Sequence, residues 1–501
     1  MTISSALSSA LSGLLANQRQ ADVSAQNIAN ATTPGYSRRE VEVDPLVAGG
    51  RGQGVRVTAV RRQVDLLLIR DTRLEQARLE FATANADAYT RVADAVGNSD
   101  SINSLPKLLE RTEEAFRALE TTPESAVRQQ DTLRAVQQLT RGFSELSDEF
   151  VKMRSDTDAA IQREVSVLND SLQQLARVNR ELTLRANRGA DTGDLEDQRD
   201  QLIDEVARRI PVRVVRGNDD TSFTLMTVEG VPLIDLSAAT VEFDNRAIVS
   251  ATELYDPNGL AAPGYSHALS GLSVNGRDIA PGSGDAQSID DGRIAGLFRV
   301  RDEILVQAQQ RLDSVAYALA ERFQDTSVDI SLAPGDAGLF TDRGLQLDTT
   351  DPAAVVGFAA RIAVNDAVNP AAGGDFSRLR DGIAAVTPGV PGDPGQVSRF
   401  IGAFVDPTGF TGGSDLSDNS IAAGAREFTQ LVHQARTAST RDATAQEVSF
   451  QAITDLRLST AGVSIDVELQ KLALFERSYA ANSQVIQAAS RMLDELLAIA
   501  R

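Results

Sequence analysis

The sequence predicts a mainly α-helical protein with β-rich material inserted in its middle. Heptad-like apolar stripes occupy both ends of the chain, and residues 124–188 contain no proline and a single glycine. Alternating runs typical of strands, separated by Gly, Asn and Asp, extend from residue 211 to about 291. We therefore expect the N- and C-terminal helices to pair as a coiled-coil-like end domain, with a long-helix bundle domain and β-rich outer insertions between them.

Composition narrows the class of protein. The formal net charge of −21 opposes the clustered basic surface that nucleic acid or an anionic membrane requires, so neither is expected as a partner. Cysteine is absent, which excludes disulfides, thiolate catalysis and cysteine-based zinc sites. No segment reaches the roughly 18 consecutive apolar residues of a membrane span. Residues 1–20 lack the basic and apolar regions of a cleavable signal peptide, so none is expected.

The first thirty residues are predicted to form one amphipathic helix. Its stripe recurs at alternating steps of four and three, as in a heptad. The stripe consists of Ile3, Leu7, Ala10, Leu14, Asn17, Ala21, Ser24 and Ile28. Its apolar and alanine members are the candidate assembly interface of the N-terminal helix. Pro34 and Gly35 are expected to end the helix, the glycine-rich segment 49–54 to turn, and residues 55–60 to form a strand.

The middle of the chain alternates between helical and irregular segments. Helical periodicity covers 64–96, the long stretch 122–188, then 292–325 and 421–458. Residues 326–415 are rich in Gly, Pro, Asp and Ala with weak periodicity, so we expect a second, irregular insertion. The predicted domains are 1–62 plus 461–501 (terminal assembly), 63–210 plus 292–325 plus 416–460 (helix bundle), 211–291 (β-rich insertion) and 326–415 (irregular insertion).

The last thirty-five residues mirror the first helix. After a break at Ala461 and Gly462, apolar residues again recur at steps of three and four. The stripe consists of Leu472, Phe475, Tyr479, Asn482, Ile486, Ala489, Leu493 and Leu496. One apolar stripe indicates only that a helix buries one face, and two matching terminal stripes suit helices that pair.

Residues 26–39 carry a motif that resembles the N-terminal signature of flagellar rod, hook and hook-associated proteins. Its matching residues are Asn27, Ile28, Ala29, Asn30, Thr33, Pro34, Gly35, Tyr36, Ser37 and Arg38. Gln26 stands where that family usually has asparagine. The continuation 34–38 is similar to the hook-associated members, since rod and hook proteins more often place another residue before the glycine and phenylalanine after it.

Three further segments carry the same resemblance. Residues 54–65 resemble the family's strand and the start of its next helix, and residues 195–205 resemble its mid-chain helix. Residues 461–466, with 479–482 and 492–497, resemble its C-terminal helix. The regions 211–291 and 326–415 carry no such resemblance, so their folds are predicted from pattern alone.

The resemblance implies a structural protein at the junction between hook and filament, not an enzyme, with no cofactor. Such a protein assembles with copies of itself, with hook protein and with the next hook-associated protein towards the filament. It is exported through the flagellar type III channel, assembles outside the cell, and offers its C-terminal helix to a cytoplasmic export chaperone. The N- and C-terminal stripes are then assembly surfaces, and the second one also the chaperone site.

Two other functions stay open on sequence alone. The chain could be a hook or distal-rod subunit, although the long helix after Thr122 and the 34–38 segment argue against it. It could also be an exported adhesin or hydrolase on axial ends, with its activity in 211–291 or 326–415. Only His267 and His433 are present, without a histidine at metal-ligand spacing, so no catalytic or metal site is expected.

Overall fold

A computed structural model describes residues 3–48, 51–217, 223–235 and 237–499. The helices are α1 (Ile3–Ala29), α2 (Leu66–Val96), α3 (Leu105–Thr121), α4 (Ala126–Ala186), α5 (Gly193–Arg209), α6 (Gly292–Arg299), α7 (Leu305–Gln324), α8 (Arg378–Asp381), α9 (Gly395–Val405), α10 (Ile421–Ala461) and α11 (Ile465–Ile499). A π-helical turn, Val300–Ile304, joins α6 to α7. Short 3-10 turns occupy Phe358–Ala360, Asp366–Val368 and Pro370–Ala372.

The strands are short except at the N-terminal end. They are β1 (Arg39–Ala48), β2 (Arg51–Arg62), β3 (Val212–Arg216), β4 (Phe223–Thr227), β5 (Pro232–Ile234), β6 (Val241–Glu242), β7 (Glu253–Leu254), β8 (Ser266–His267), β9 (Ser273–Val274), β10 (Arg277–Asp278), β11 (Phe340–Asp342) and β12 (Ile362–Val364). The predicted fold class is confirmed, because the described chain is mainly helical, its end helices pack together and small sheets are inserted in its middle.

The chain divides into two compact units, and the first carries both ends. It draws on Met1–Ala77, Leu168–Ala239 and Glu447–Arg501. Here α1 packs along α11 and across β2, where the Ser12 hydroxyl accepts a hydrogen bond of 3.1 Å from the backbone N–H of Val55. The sheet β3-β4-β5 and helix α5 complete this unit.

The β1–β2 hairpin corrects the expectation for residues 39–62. Only 55–60 was predicted as strand, yet β1 pairs with β2 antiparallel from Arg39↔Arg62 to Ala48↔Arg51. The predicted turn at 49–54 is wrong for residues 51–54, which lie in β2, while Gly49 and Gly50 lie outside the described residues. Charged residues alternate with valine in β1, and register shifts after Glu42 and Pro45 interrupt the ladder, so its strand pattern is weak in the sequence.

The second unit draws on Arg78–Val167 and Thr240–Gln446. Its core is a cluster of phenylalanines from α3, α7, α9 and β11. Ring centroids of Phe323 and Phe404 lie 4.9 Å apart, and those of Phe116 and Phe400 lie 5.7 Å apart, both edge to face. Such pairs stabilise a core beyond the area they bury. Phe340 packs on Phe323 at 5.1 Å, so residues from 326–415 belong to this core.

Three helices of the second unit were not predicted, namely α3, the short α8 and α9. Helix α3 begins after Ser104 with Pro106 in its first turn, a helix-start signal in the sequence. Helix α9 lies within the segment expected to be irregular, and its apolar residues Phe400 and Phe404 are buried. A short apolar run after a Pro/Gly-rich loop gives too few turns for periodicity to show. The predicted four-part domain division stays a prediction.

A buried arginine joins the inserted strands to α4 inside the second unit. Arg154 donates hydrogen bonds to the backbone carbonyls of Arg301 (3.0 Å), Ser250 (2.8 Å) and Glu253 (2.7 Å). Burial lowers the pKa of Arg154 to about 10. Its guanidinium therefore hydrogen-bonds three backbone carbonyls at once, which holds the insertion on the helix.

Candidate assembly interface

The motif at the end of α1 forms a buried junction around Asn27. This residue is fully shielded from solvent. Its Nδ2 donates to the Arg39 carbonyl (2.9 Å) and to Glu468 Oε2 (3.2 Å). Its Oδ1 accepts from the Tyr36 hydroxyl (2.8 Å) and from the Arg39 backbone N–H (3.0 Å). One amide side chain thus uses both donors and both lone pairs to join α1, β1 and α11. We call Asn27, Tyr36, Arg39, Arg62 and Glu468 the motif junction.

The turn between α1 and β1 is built by the remaining polar residues of the motif. Asn30 Nδ2 donates to the Gln26 carbonyl at 3.0 Å, and Thr33 Oγ1 donates to Asn30 Oδ1 at 3.3 Å. Gly35 has φ +78°, a left-handed conformation that favours glycine. A Cβ there would stand 2.1 Å from Gln201 Nε2, which donates to the Pro34 carbonyl at 2.9 Å. Glycine is therefore required at position 35 both by conformation and by space.

Arg39 connects the turn to α5. Its guanidinium lies over the Tyr36 ring, 5.2 Å from the centroid, as in a cation–π contact. The same group donates to the carboxylates of Asp194 and Asp197, the second at 3.2 Å. Burial raises the pKa of the Tyr36 hydroxyl, so this group stays protonated and can donate to Asn27.

Arg62, at the end of β2, pairs with three carboxylates of α5. Its nitrogens lie 3.2 Å from Glu196, 2.8 Å from Asp197 and 2.6 Å from Asp200. Its Nη2 also donates to the Ser37 hydroxyl at 3.0 Å, which brings the motif turn into the same network. Arginine suits this position because its fork presents several donors in fixed geometry.

Burial and ion pairing act on the α5 carboxylates in opposite directions. Burial raises the pKa of Asp197 above its usual value although Arg62 and Arg39 oppose it. Burial also acts to raise the pKa of Asp200, but Arg199, Arg62 and Arg73 together hold it below the usual range. Asp200 therefore stays ionised to a lower pH than Asp197.

Glu468 brings the C-terminal helix into the junction. Its residue is 1% exposed and lies in the first turn of α11. Burial acts to raise the pKa of this carboxyl, but hydrogen bonds from Ser24, Asn27 and Lys471 hold it below its usual value. The ionised carboxylate thus ties the start of α11 to the end of α1.

The predicted N-terminal stripe lies mostly on the packed side of α1. Ala10 is buried, and the other candidates are half-buried: Ile3, Leu7, Leu14, Ala21 and Ile28. The large apolar residues of α1 that are exposed are instead Leu11 and Leu15. Assignment of the stripe to contacts between subunits stays a prediction.

The predicted C-terminal stripe divides between a packed and an exposed part. Leu472, Phe475, Asn482 and Ile486 are half-buried. Tyr479, Leu493 and Leu496 are exposed, as are other apolar residues of α11 that the prediction left out: Ile465, Val467, Leu469, Leu474, Val485, Met492, Leu497 and Ile499. Their roles in assembly and chaperone binding stay predictions.

Several residues of the site were missed at the sequence level. Glu468 and the arginines 39, 62 and 73 have no local signal, because their partners stand far away in sequence. The α5 carboxylates do have one: Asp194, Asp197, Asp200 and Asp204 recur at steps of three and four, which places them on one helix face. Of the other motif residues, Ile28 and Arg38 are half-buried and Ala29 is exposed.

The described residues contain no cluster of three or more potential metal ligands. His267 Nδ1 lies 3.2 Å from Asp256, and His433 Nε2 lies 3.0 Å from the Gly97 carbonyl. In the same part of the chain, no helix is both long and apolar enough for a bilayer crossing.

The two ends that meet at the motif junction match models of axial proteins of the bacterial flagellum. The family model "Flagella basal body rod protein" matches residues 7–36, and "Flagellar basal body rod FlgEFG protein C-terminal" matches 457–499. Between them, "Flagellar hook-associated protein FlgK helical domain" matches residues 90–331.

Among flagellar axial proteins, this chain is similar to hook-associated proteins over nearly its full length. Flagellar hook-associated protein 1 of Escherichia coli (strain K12) is 23% identical over 99% of this chain and 100% of its own length. The protein of that name from Bacillus subtilis (strain 168) is 23% identical over 98% of this chain and 97% of its own length. The chain belongs to the flagellar hook-associated protein 1 family, a family of structural flagellar proteins at the hook–filament junction.

A solved structure is also similar to this chain. It is the flagellar hook junction protein FlgK from Burkholderia pseudomallei, at 16% identity and a TM-score of 0.44. The likeness covers 54% of this chain and 46% of that one.

Proposed function

We propose that this chain is a structural subunit that forms the junction between the flagellar hook and filament and polymerises through its terminal helices. Family membership supports the position on the axis. The observation that carries the assembly role is the exposed apolar surface of α11. A helix that exposes this much apolar surface is typical of an interaction site.

The C-terminal end of α11 is the part of that surface with continuous exposure. Every described residue from Arg491 to Ile499 is exposed, including Met492, Leu493, Leu496 and Leu497. Full burial of a side chain of this kind stabilises an assembly by about 1.5–3 kcal/mol. Several copies burying these side chains together would therefore bring enough free energy to hold a polymer.

The motif junction has a different role in this proposal. It fixes the start of α11 to the end of α1 through Asn27 and Glu468, so the two helices present one preorganised surface. An interface whose parts are already ordered loses less entropy on assembly. A repeated contact that does not close on itself yields a helical array, and one that closes yields a ring.

The partners follow from this position. We propose that copies of the chain contact each other, that hook protein lies on one side and that the next hook-associated protein lies on the filament side. The chain travels through the flagellar type III export channel and assembles outside the cell. Before export, a cytoplasmic chaperone covers the exposed apolar face of α11. No catalytic role is proposed.

A deletion strain tests the junction role. Cells without this chain should build complete hooks, carry no filaments and release flagellin monomers into the medium. Plasmid expression of the chain should restore filaments, seen by electron microscopy. Normal filaments in the deletion strain would refute the proposal.

A further inference from the structure

We propose that an arginine-lined pocket in the first unit binds a small oxyanion, either a free inorganic anion or a carboxylate of a second copy of this chain. The pocket has a volume of about 180 Å³ and lies between the start of α2, the middle of α5 and β3. Its lining holds one carboxylate, Asp200, and these arginines: Arg70, Arg73, Arg199, Arg213 and Arg216.

Arg199 is the buried cation of this pocket. Its residue is 6% exposed, and its Nη2 lies 3.6 Å from Asp200, too far for a strong hydrogen bond. Asp200 is shared, because it also lies 2.6 Å from Arg62 and 3.5 Å from Arg73. Asp200 is thus near three guanidinium groups, although Arg62 also pairs with Glu196 and Asp197, and Arg73 lies 2.6 Å from Asp204. Burial lowers the pKa of Arg199, and the positive charges of Arg62 and Arg216 act in the same direction.

Arg216 adds an exposed cation at the mouth. Alternation along β3 places it on the same face as Val212 and Val214, which also line the pocket. Within the part of the chain that the structure describes, no carboxylate forms an ion pair with it. Strand order β3-β4-β5 leaves β3 at the sheet edge, so a ligand can approach from that side. Arg70 pairs with Asp71 and Arg73 with Asp204, so Arg213 and Arg216 are the lining arginines without an ion-pair partner among the described residues.

The volume of the pocket and the chemistry of its lining together indicate the kind of ligand. The pocket is smaller than the roughly 300–1,000 Å³ of sites for drug-sized molecules, but it can hold one tetrahedral oxyanion or one carboxylate. Guanidinium groups recognise both with paired, charge-assisted hydrogen bonds. Apolar lining from Leu66, Ile69 and Val212 strengthens the attraction, because it excludes water from around the charges.

Thermal unfolding of the full chain in sodium phosphate tests the site. At matched ionic strength, phosphate should raise the unfolding midpoint relative to sodium chloride in a saturable way. Arg216→Gln should need about tenfold more phosphate for the same rise, the loss expected for one charged hydrogen-bonding partner. Arg208→Gln removes an exposed arginine of α5 that does not line the pocket and should behave as wild type.

Two results would overturn the proposal. A rise without saturation that is shared by all three proteins would be the general stabilising effect of phosphate on folded chains. An equal loss in Arg208→Gln and Arg216→Gln would reflect overall charge and no site.

Self-association then distinguishes the two sources of the anion, and either result supports the site. If a carboxylate of a second copy occupies the pocket, phosphate should dissociate the associated chains in sedimentation velocity, and Arg216→Gln should associate more weakly than Arg208→Gln. If a free anion is the ligand, saturable phosphate binding should persist while self-association is the same in all three proteins.

Discussion

Asn27 shows why an amide stands at the end of α1. Its two donors face the acceptors Arg39 O and Glu468 Oε2, and its oxygen faces the donors of Tyr36 and Arg39. A carboxylate would lack the donors, and an aliphatic side chain would leave these buried groups without partners. Since an unsatisfied buried polar group costs about 1–3 kcal/mol, the junction depends on this one residue type.

Asn27→Asp tests that dependence at nearly constant shape. It removes the Nδ2 donor and places a second carboxylate 3.2 Å from Glu468. We expect the free energy of unfolding in urea to fall by about 2–4 kcal/mol. Asn30→Asp is the matched control, because its amide donates only to the exposed turn at the Gln26 carbonyl, and it should cost under about 1 kcal/mol. Equal costs would show that Asn27 has no special role.

Gly35→Ala should be more costly than the same change at another left-handed glycine. Gly189 has φ +66° with nothing within 4 Å of a built Cβ, so Gly189→Ala pays only the conformational strain. Gly35→Ala also displaces Gln201 from the Pro34 carbonyl and should cost about 1 kcal/mol more in urea unfolding. Adding Gln201→Ala to both proteins should remove this difference; a difference that survives would contradict the explanation.

Glu468 should make stability depend on pH in the acidic range. Its pKa is lower in the folded chain than in the unfolded one, so its contribution is complete above the unfolded value of about 4.3 and is lost as pH falls through the folded value. The gap in unfolding free energy between wild type and Glu468→Gln should be constant at neutral pH and shrink below about pH 4.3. A gap that stays constant into strong acid would contradict this.

The sequence predicts those parts of the site that repeat with the period of a helix, as in α5. The periodic carboxylates of α5 are visible in the sequence, and so are the terminal stripes and the long helix α4, because each repeats with the period of its own element. Arg39, Arg62 and Glu468 become partners only through folding, and no local pattern announces them. Strand β1 alternates only up to Asp44 before its ladder is interrupted near Pro45, and α9 is too short to show a period.

The sequence also does not predict which apolar residues of the terminal helices are packed and which are exposed. Periodicity placed Leu14 and Leu493 in equivalent stripes, yet Leu14 is half-buried and Leu493 is exposed. A stripe shows that a helix needs a partner, and it does not show whether that partner is the same chain or another. In the structure, α1 is the partner of α11 from the same chain. The outer side of α11 stays exposed and is available to a partner from another chain.

Gly13 sets the separation of α1 and α11. A Cβ there would lie 2.9 Å from Asn482 Nδ2, so the two helices approach closely at this point. Alanine normally stabilises a helix interior by about 1 kcal/mol relative to glycine. We expect the reverse here: Gly13→Ala should lower the hydrogen-exchange protection of α1, and Asn482→Ala should restore it. Higher protection in Gly13→Ala alone would contradict the close packing.

Across the whole molecule, the two units differ in what stabilises them. The second combines phenylalanine packing around Phe116 and Phe323 with a fully buried ion pair between Arg301 and Asp158, 2.6 Å apart. The first relies on buried ion pairs such as Arg62 with Asp197 and Asp200. Asp200, whose pKa Arg199, Arg62 and Arg73 hold below its usual value, loses its ion pairs as pH falls through that value, so it makes the first unit sensitive to strong acid.

The exposed apolar residues of α11 are expected to be essential for assembly of the junction. One complementation experiment tests this expectation most directly. Leu496→Gln with Leu497→Gln changes two exposed side chains, so the purified protein should unfold at the same urea concentration as wild type. Val386→Gln with Val390→Gln is the control, with two even more exposed apolar residues in the second unit. In a deletion strain, the control should restore filaments, whereas the α11 variant should leave bare hooks and release flagellin into the medium. Normal filaments from the α11 variant would contradict the account.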